Sequence, residues 1–149
     1  MTANTAPIFP ISPIIGIASL AAATACTTRG PIAYASLGSS PCYAVQLMAT
    51  STNGVRIDKI QVQAISTSMV AATVAQTVLI WATDGVTAYV VDEISVSAVT
   101  PSTVVPAFVT SKSYTNLNLP ATWSLWASTT VTTTASTTAL AVEAFGGAY

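Results

Sequence analysis

Ser51-Thr52-Asn53-Gly54-Val55-Arg56-Ile57-Asp58-Lys59-Ile60-Gln61-Val62-Gln63-Ala64 is the stretch on which the fold turns. Asn53-Gly54 accepts the positive φ angles of a tight turn, and the run behind it alternates like a strand. The alternation changes phase part-way along. Val55 and Ile57 set the apolar side chains at odd positions, whereas Ile60, Val62 and Ala64 set them at even ones. Successive residues of a strand face opposite ways, so an unbroken strand would turn one of these sets to water. A bulge near Asp58, or an ion pair held inside the sheet, is therefore expected. Arg56, Asp58 and Lys59 supply three of the chain's charged residues, of which there are four basic and five acidic. The stretch reads either as a core strand with a charged lip or as a specific assembly contact.

Downstream, strand signals follow one another. Thr77–Thr83 is almost continuously apolar, which calls for cover on both faces, and Asp84-Gly85 marks a hairpin. The return strand spans Val86–Val99 with Val86, Ala88, Val90, Ile94, Val96 and Ala98 at even positions; Asp92 interrupts that row and, with Glu93, suggests an edge or bend. Val104–Thr110 reads as a short edge strand because Pro106 cannot donate to a ladder. Trp123 and Leu125 should share one face and Trp126 the other. Val131–Thr138 reads as an exposed Thr-rich turn, and Ala139–Phe145 as the last strand. Upstream, Tyr43, Val45, Leu47 and Ala49 should share a face. Seven or eight strands with frequent turns and no helical periodicity give an all-β fold, an antiparallel β-sandwich or jelly roll over residues 43–149.

Residues 1–42 read differently, as an extended Pro/Ile-rich N-terminal arm with loops. Pro7, Pro10 and Pro13 block helix and break ladders, while Ile8, Phe9, Ile11 and Ile14 need apolar cover, from this subunit or from another. The Ala-rich run allows a short helical turn at Ile17–Ala23. Cys26 and Cys42 could pair, which would be worth about 3 kcal/mol of chain entropy, or remain as free buried thiols; their spacing alone leaves both open.

Composition narrows function. The chain of 149 residues is 52% hydrophobic and 6% charged, with no histidine and a net charge of −1. An ordinary domain carries about 25% charged residues, and surface charge is what keeps it dispersed. A chain this poor in charge is expected to work with much of its surface covered. Arg29, Arg56, Lys59 and Lys112 cannot form the basic patch that a nucleic acid or an anionic membrane surface requires. Prolines interrupt the one long apolar run, so a spanning helix is not expected, and no basic residue precedes Arg29 to begin a secretory signal. Without histidine there is no Ser-His or Cys-His nucleophile. The five acids lack the spacing of a catalytic pair, no soft metal-ligand set is present, and no cofactor motif occurs. No enzymatic activity is expected. Trp123 and Trp126 could stack on sugars, although tryptophans in a β domain more often anchor cores and interfaces.

Several motifs recur in one order: Asn53-Gly54-Val55-Arg56-Ile57-Asp58-Lys59-Ile60; Val78-Leu79-Ile80-Trp81-Ala82-Thr83-Asp84-Gly85; Glu93-Ile94-Ser95-Val96; Thr100-Pro101-Ser102; Leu119 to Thr129; and Gly146-Gly147-Ala148-Tyr149. In that order they resemble small structural proteins of tailed-phage virions, from about residue 50 to the end. The resemblance implies a capsid decoration (cement) protein made in the bacterial host cytoplasm. Such a protein works as a homotrimer on the virion surface, bound to the major capsid protein and to copies of itself. In that setting Arg56 would pair with Asp58 or Asp92 to fix strand register. The longer front, Cys26 and Cys42, and Ala148 where an acid is commoner depart from the pattern and leave the attachment mode open. A tail or head-fibre protein, and a receptor- or carbohydrate-binding module, are the alternatives.

Overall fold

The computed structural model describes residues 12–66, 71–135 and 138–149. Among the described residues eleven strands are formed: β1 Ser12–Leu20, β2 Ile32–Ala33, β3 Gly38–Ser39, β4 Cys42–Tyr43, β5 Val45–Met48, β6 Val55–Ala64, β7 Gln76–Thr83, β8 Thr87–Val96, β9 Val109–Leu119, β10 Ser124–Thr129 and β11 Leu140–Ala148. They make a four-stranded sheet in the order β1-β11-β6-β9, a five-stranded sheet in the order β2-β8-β7-β10-β5, and a small β3-β4 ladder. Every strand pair is antiparallel. The two large sheets pack face to face as a sandwich, with Leu20, Ile57, Ile60, Val62, Val78, Ile80, Leu125, Leu140 and Val142 between them.

The phase change in β6 is a bulge. Against β11, Lys59 pairs with Phe145 and Ile57 with Gly146, so Asp58 is the extra residue. Val55 and Ile57 before it, and Ile60 and Val62 after it, all reach the core. Gly146 lies where the bulged backbone comes closest: a Cβ there would sit 1.9 Å from the carbonyl oxygen of Arg56. The turn before β6 also forms as expected, with Gly54 at φ +91°.

β7 is covered on both faces. Val78, Ile80 and Ala82 point into the sandwich, whereas Leu79 and Trp81 point outward. The outward pair is sealed by a third layer drawn from residues 26–44, which contributes Cys26, Leu37, Cys42 and Ala44. Trp81 donates its indole N–H to Ser128 Oγ at 2.9 Å, so its one polar atom is satisfied in this buried place. Cys26 and Cys42 are joined as a disulfide across a sequence separation of 16. The Arg29–Glu93 ion pair ties the same layer to β8.

The structure corrects several expectations. Residues 12–20 are a strand of the first sheet and not part of an arm, and Ile17–Leu20 form no helical turn: β1 pairs with β11 along its whole length, and Ala18 and Leu20 enter the core. The sandwich therefore begins well before residue 43. β5 is irregular against β10: Leu47 has no partner there, and Leu47 and Met48 both reach the sandwich core, on the face to which the Val45–Ala127 pair also belongs. The even row of β8 is divided between two cores. Val91 is the extra residue of a bulge, so Ala88 and Val90 face the outer layer, while Ile94 and Val96 face the sandwich. Residues 104–108 are loop, and the strand runs instead from Val109 to Leu119. Thr133 is buried, accepting from Ala23 N–H at 3.0 Å and donating to the Leu20 carbonyl at 2.6 Å, so the Thr-rich turn is not wholly exposed.

Replacing both cysteines with serine should lower the unfolding free energy by about 3 kcal/mol, the chain-entropy value for a loop of this size. Urea denaturation measures it, with far-UV circular dichroism unchanged. An unaltered midpoint would show that the third layer holds without its staple.

Candidate assembly surface

The outer face of the four-stranded sheet is built from residues that the pairing lines up in rows. Ile15, Phe145, Lys59 and Ser113 form one row, Ile17, Glu143, Gln61 and Ser111 the next, and Ser19, Ala141, Gln63 and Val109 the third. Ile15 and Ile17 are each 64% exposed and Val109 60%. The centre of the face is polar but self-satisfied. Lys59 Nζ lies 4.5 Å from the centre of the Phe145 ring and donates to Gln61 Oε1, and Gln63 donates to Glu143 Oε1 at 3.0 Å.

That pattern extends to every charge in the chain. Arg56 grips Asp58 through Nε–Oδ1 at 2.7 Å and Nη2–Oδ2 at 3.2 Å. This hydrogen bond, with the field of Asp58, holds the guanidinium above its ordinary value. Asp84 accepts from the backbone N–H groups of Thr87 and Val86, which hold its carboxyl below the usual range. Arg29 pairs with Glu93, and Lys112 with Asp92. Each of the four basic and five acidic residues therefore has a partner inside the molecule. Exposed pairs of this kind add little stability. They do leave only Lys59, Asp84 and Glu143 without an opposite charge beside them.

Asp92 does not meet Arg56, as had been one expectation. It faces the open side of the sandwich, where β8 and β9 are not hydrogen-bonded to one another, and it joins the two sheets. Lys112 Nζ donates to Oδ1 at 2.6 Å and Tyr114 Oη donates to Oδ2. Partial burial works against the Asp92 carboxylate, but hydrogen bonds from Lys112, Tyr114 and the Glu93 N–H outweigh it and keep the pKa below normal. Burial, followed by the Asp92 carboxylate, pushes the Tyr114 hydroxyl well above its ordinary 10.0. A cleft of about 400 Å³ opens beside this clamp, lined by Val91, Asp92 and residues 112–117.

Of the proposed arm contacts, Ile14 lies in β1 and packs against the core, while Ile8, Phe9 and Ile11 lie outside the described residues. Trp123 packs on the sandwich core and Trp126 on the outer cluster, so the two rings face opposite sides as expected. Trp126 meets Tyr34 edge-on at 5.8 Å and donates to Ser124 Oγ. Among the described residues, no group of three or more His, Cys, Asp or Glu could hold a metal ion, and no helix is long and apolar enough to cross a membrane. No protein-family model, curated protein or solved structure matches the chain.

Asp92→Asn tests the clamp. Because the folded carboxyl has the lower pKa, its stabilisation is present above the normal Asp range near pH 4 and disappears as pH falls through the depressed value. The variant should lose about 1–3 kcal/mol at pH 7 and show a shallower decline of stability in acid. The part of the acid decline due to Asp84 should persist. Unfolding free energies measured from pH 7 to 2 decide it.

Proposed function

We propose that the chain is a structural virion protein that coats an assembled phage head as a capsid decoration (cement) trimer and stabilises it through subunit contacts. The observation that carries this reading is that six of the nine charges pair with one another and the other three are held by amide, ring or backbone N–H partners, while Ile15, Ile17 and Val109 stand exposed on one sheet face. A surface of that kind neither repels copies of itself nor attracts polyelectrolytes. It favours contacts made by excluding water from apolar area, at about 25 cal/mol per Å² before the costs of association. Around a shell, many modest contacts act together. The motif order from residue 50 onward supplies the class of partner, a major capsid protein.

The carbohydrate-binding alternative draws nothing from the two tryptophans, which are packed on opposite sides of one sheet and form no shared platform. A tail or head-fibre location uses the same fold and the same surface. A density map of particles from the encoding genome separates the two. The proposal expects three-fold protrusions on the head, and particles that burst at lower temperature when the coding sequence is deleted. Density confined to the tail would overturn it, as would absence of the protein from purified particles.

Arg56→Met removes the bidentate grip beside the bulge. Thermal unfolding should change little, since the pair is partly exposed, while occupancy on purified particles should fall. Full occupancy, counted by quantitative mass spectrometry, would remove Arg56 from the attachment surface.

A further inference from the structure

Sheet edges are templates for another strand unless something blunts them, and the edges of this sandwich are treated unequally. On the five-stranded sheet, β8 is covered by only the two residues of β2, but it carries the Val91 bulge and the inward Asp92. β5, at the other edge, has four residues and an irregular register. On the four-stranded sheet, β9 is distorted between its pairs to Ile57 and Lys59 and bears Lys112. β1 has none of these devices and is blunted only by Pro13 at its second position. Its nine residues pair with β11 in unbroken register, and it contains no charged side chain. Its outward residues include Ile15 and Ile17, each 64% exposed.

We propose that β1 is a self-association edge that pairs antiparallel with β1 of a second copy about a two-fold axis through Gly16. The sequence of the strand selects this register. Gly16 is the midpoint of Ser12–Leu20, so centring there gives the longest ladder. It sets Ile15 opposite Ile17 of the second copy, and Ile17 opposite its Ile15. Both are residues of the outer face, and β-branched side chains paired across strands are favourable. The inward residues Ile14 and Ala18 meet each other in the same way, and no like charges are brought together. The contact is isologous, as a two-fold requires, and it would turn two four-stranded sheets into one of eight.

The chain outside the described structure adds to the case. Eleven residues precede Ser12, and in this register Ser12 lies beside Leu20 of the second copy. A pocket of about 250 Å³ lined by Ser19, Ala21, Ile65, Ser66, Ala135 and Ala139 of that copy opens at the same end of the ladder. The occupant argued for is thus a second copy and not an unrelated strand. The seam is independent of any three-fold contact: in a coat of trimers it would join protomers of neighbouring trimers.

The test is a pair of charge variants at exposed positions, checked for folding by circular dichroism. Ile15→Lys with Ile17→Lys places like charges opposite each other and should raise the dissociation constant for the two-fold contact tenfold or more, as an order-of-magnitude figure. Ile15→Lys with Ile17→Glu sets Lys against Glu in this register alone and should restore association to within severalfold of the original. Sedimentation equilibrium and native mass spectrometry report the result, with even numbers of copies expected. The proposal is overturned if the unaltered chain remains monomeric at about 100 μM, if its only oligomer is an isolated trimer, or if both double variants associate equally. Loss of head localisation with the charge pattern intact would sink the virion reading and leave this seam standing.

Discussion

A strand can serve two different apolar surfaces only if its alternation is interrupted, and this molecule depends on two such interruptions. Asp58 in β6 and Val91 in β8 are each one residue too many for the neighbouring strand. The first lets Val55, Ile57, Ile60 and Val62 all reach the sandwich core. The second divides β8, giving Ala88 and Val90 to the outer layer and Ile94 and Val96 to the sandwich. Without it, one of these sets would face the wrong side of the sheet. The same shift turns Asp92 towards Lys112 and Tyr114 on the opposite sheet. A bulge is thus what permits the open side of the sandwich to be held by polar atoms.

The third layer follows from the same economy. Trp81 and Leu79 point away from the sandwich and are fully buried all the same. Leaving Trp81 in water would expose a large apolar surface in a chain with few charges to offset it. Residues 26–44 have little regular structure of their own: two-residue strands and one turn of 3₁₀ helix. Such a segment has little ladder hydrogen bonding to order it. The disulfide limits the conformations it must give up on folding, and backbone bonds such as Cys26 N–H to the Thr129 carbonyl at 2.7 Å fix it to β10.

What could be read from the sequence was what local alternation records. The β6 phase change, the two-sided burial of β7 and the opposed Trp123 and Trp126 each left a pattern within a few residues. β1 left none, because apolar side chains occur on both of its faces and three prolines lie at or before its start. β9 failed in the opposite way: Thr110, Ser111, Lys112 and Ser113 are polar on both faces, as suits an edge strand with little to bury. Of the candidate site, Arg56–Asp58 was legible because the partners are two residues apart. The partners of Asp92 were not, since Lys112 and Tyr114 are 20 and 22 residues away on another sheet.

Low charge and the pairing of that charge have one consequence together. Long-range repulsion, which keeps most domains apart, is nearly absent here, so association is limited by shape and by backbone hydrogen bonding. Under those conditions an unprotected edge matters more than in a highly charged protein, because no field opposes its approach to another edge. The bulges and inward charge on β8 and β9 are then as much a part of the surface as the exposed isoleucines of β1. They restrict where a strand can be added, and specificity in any association rests on such restriction as much as on attraction.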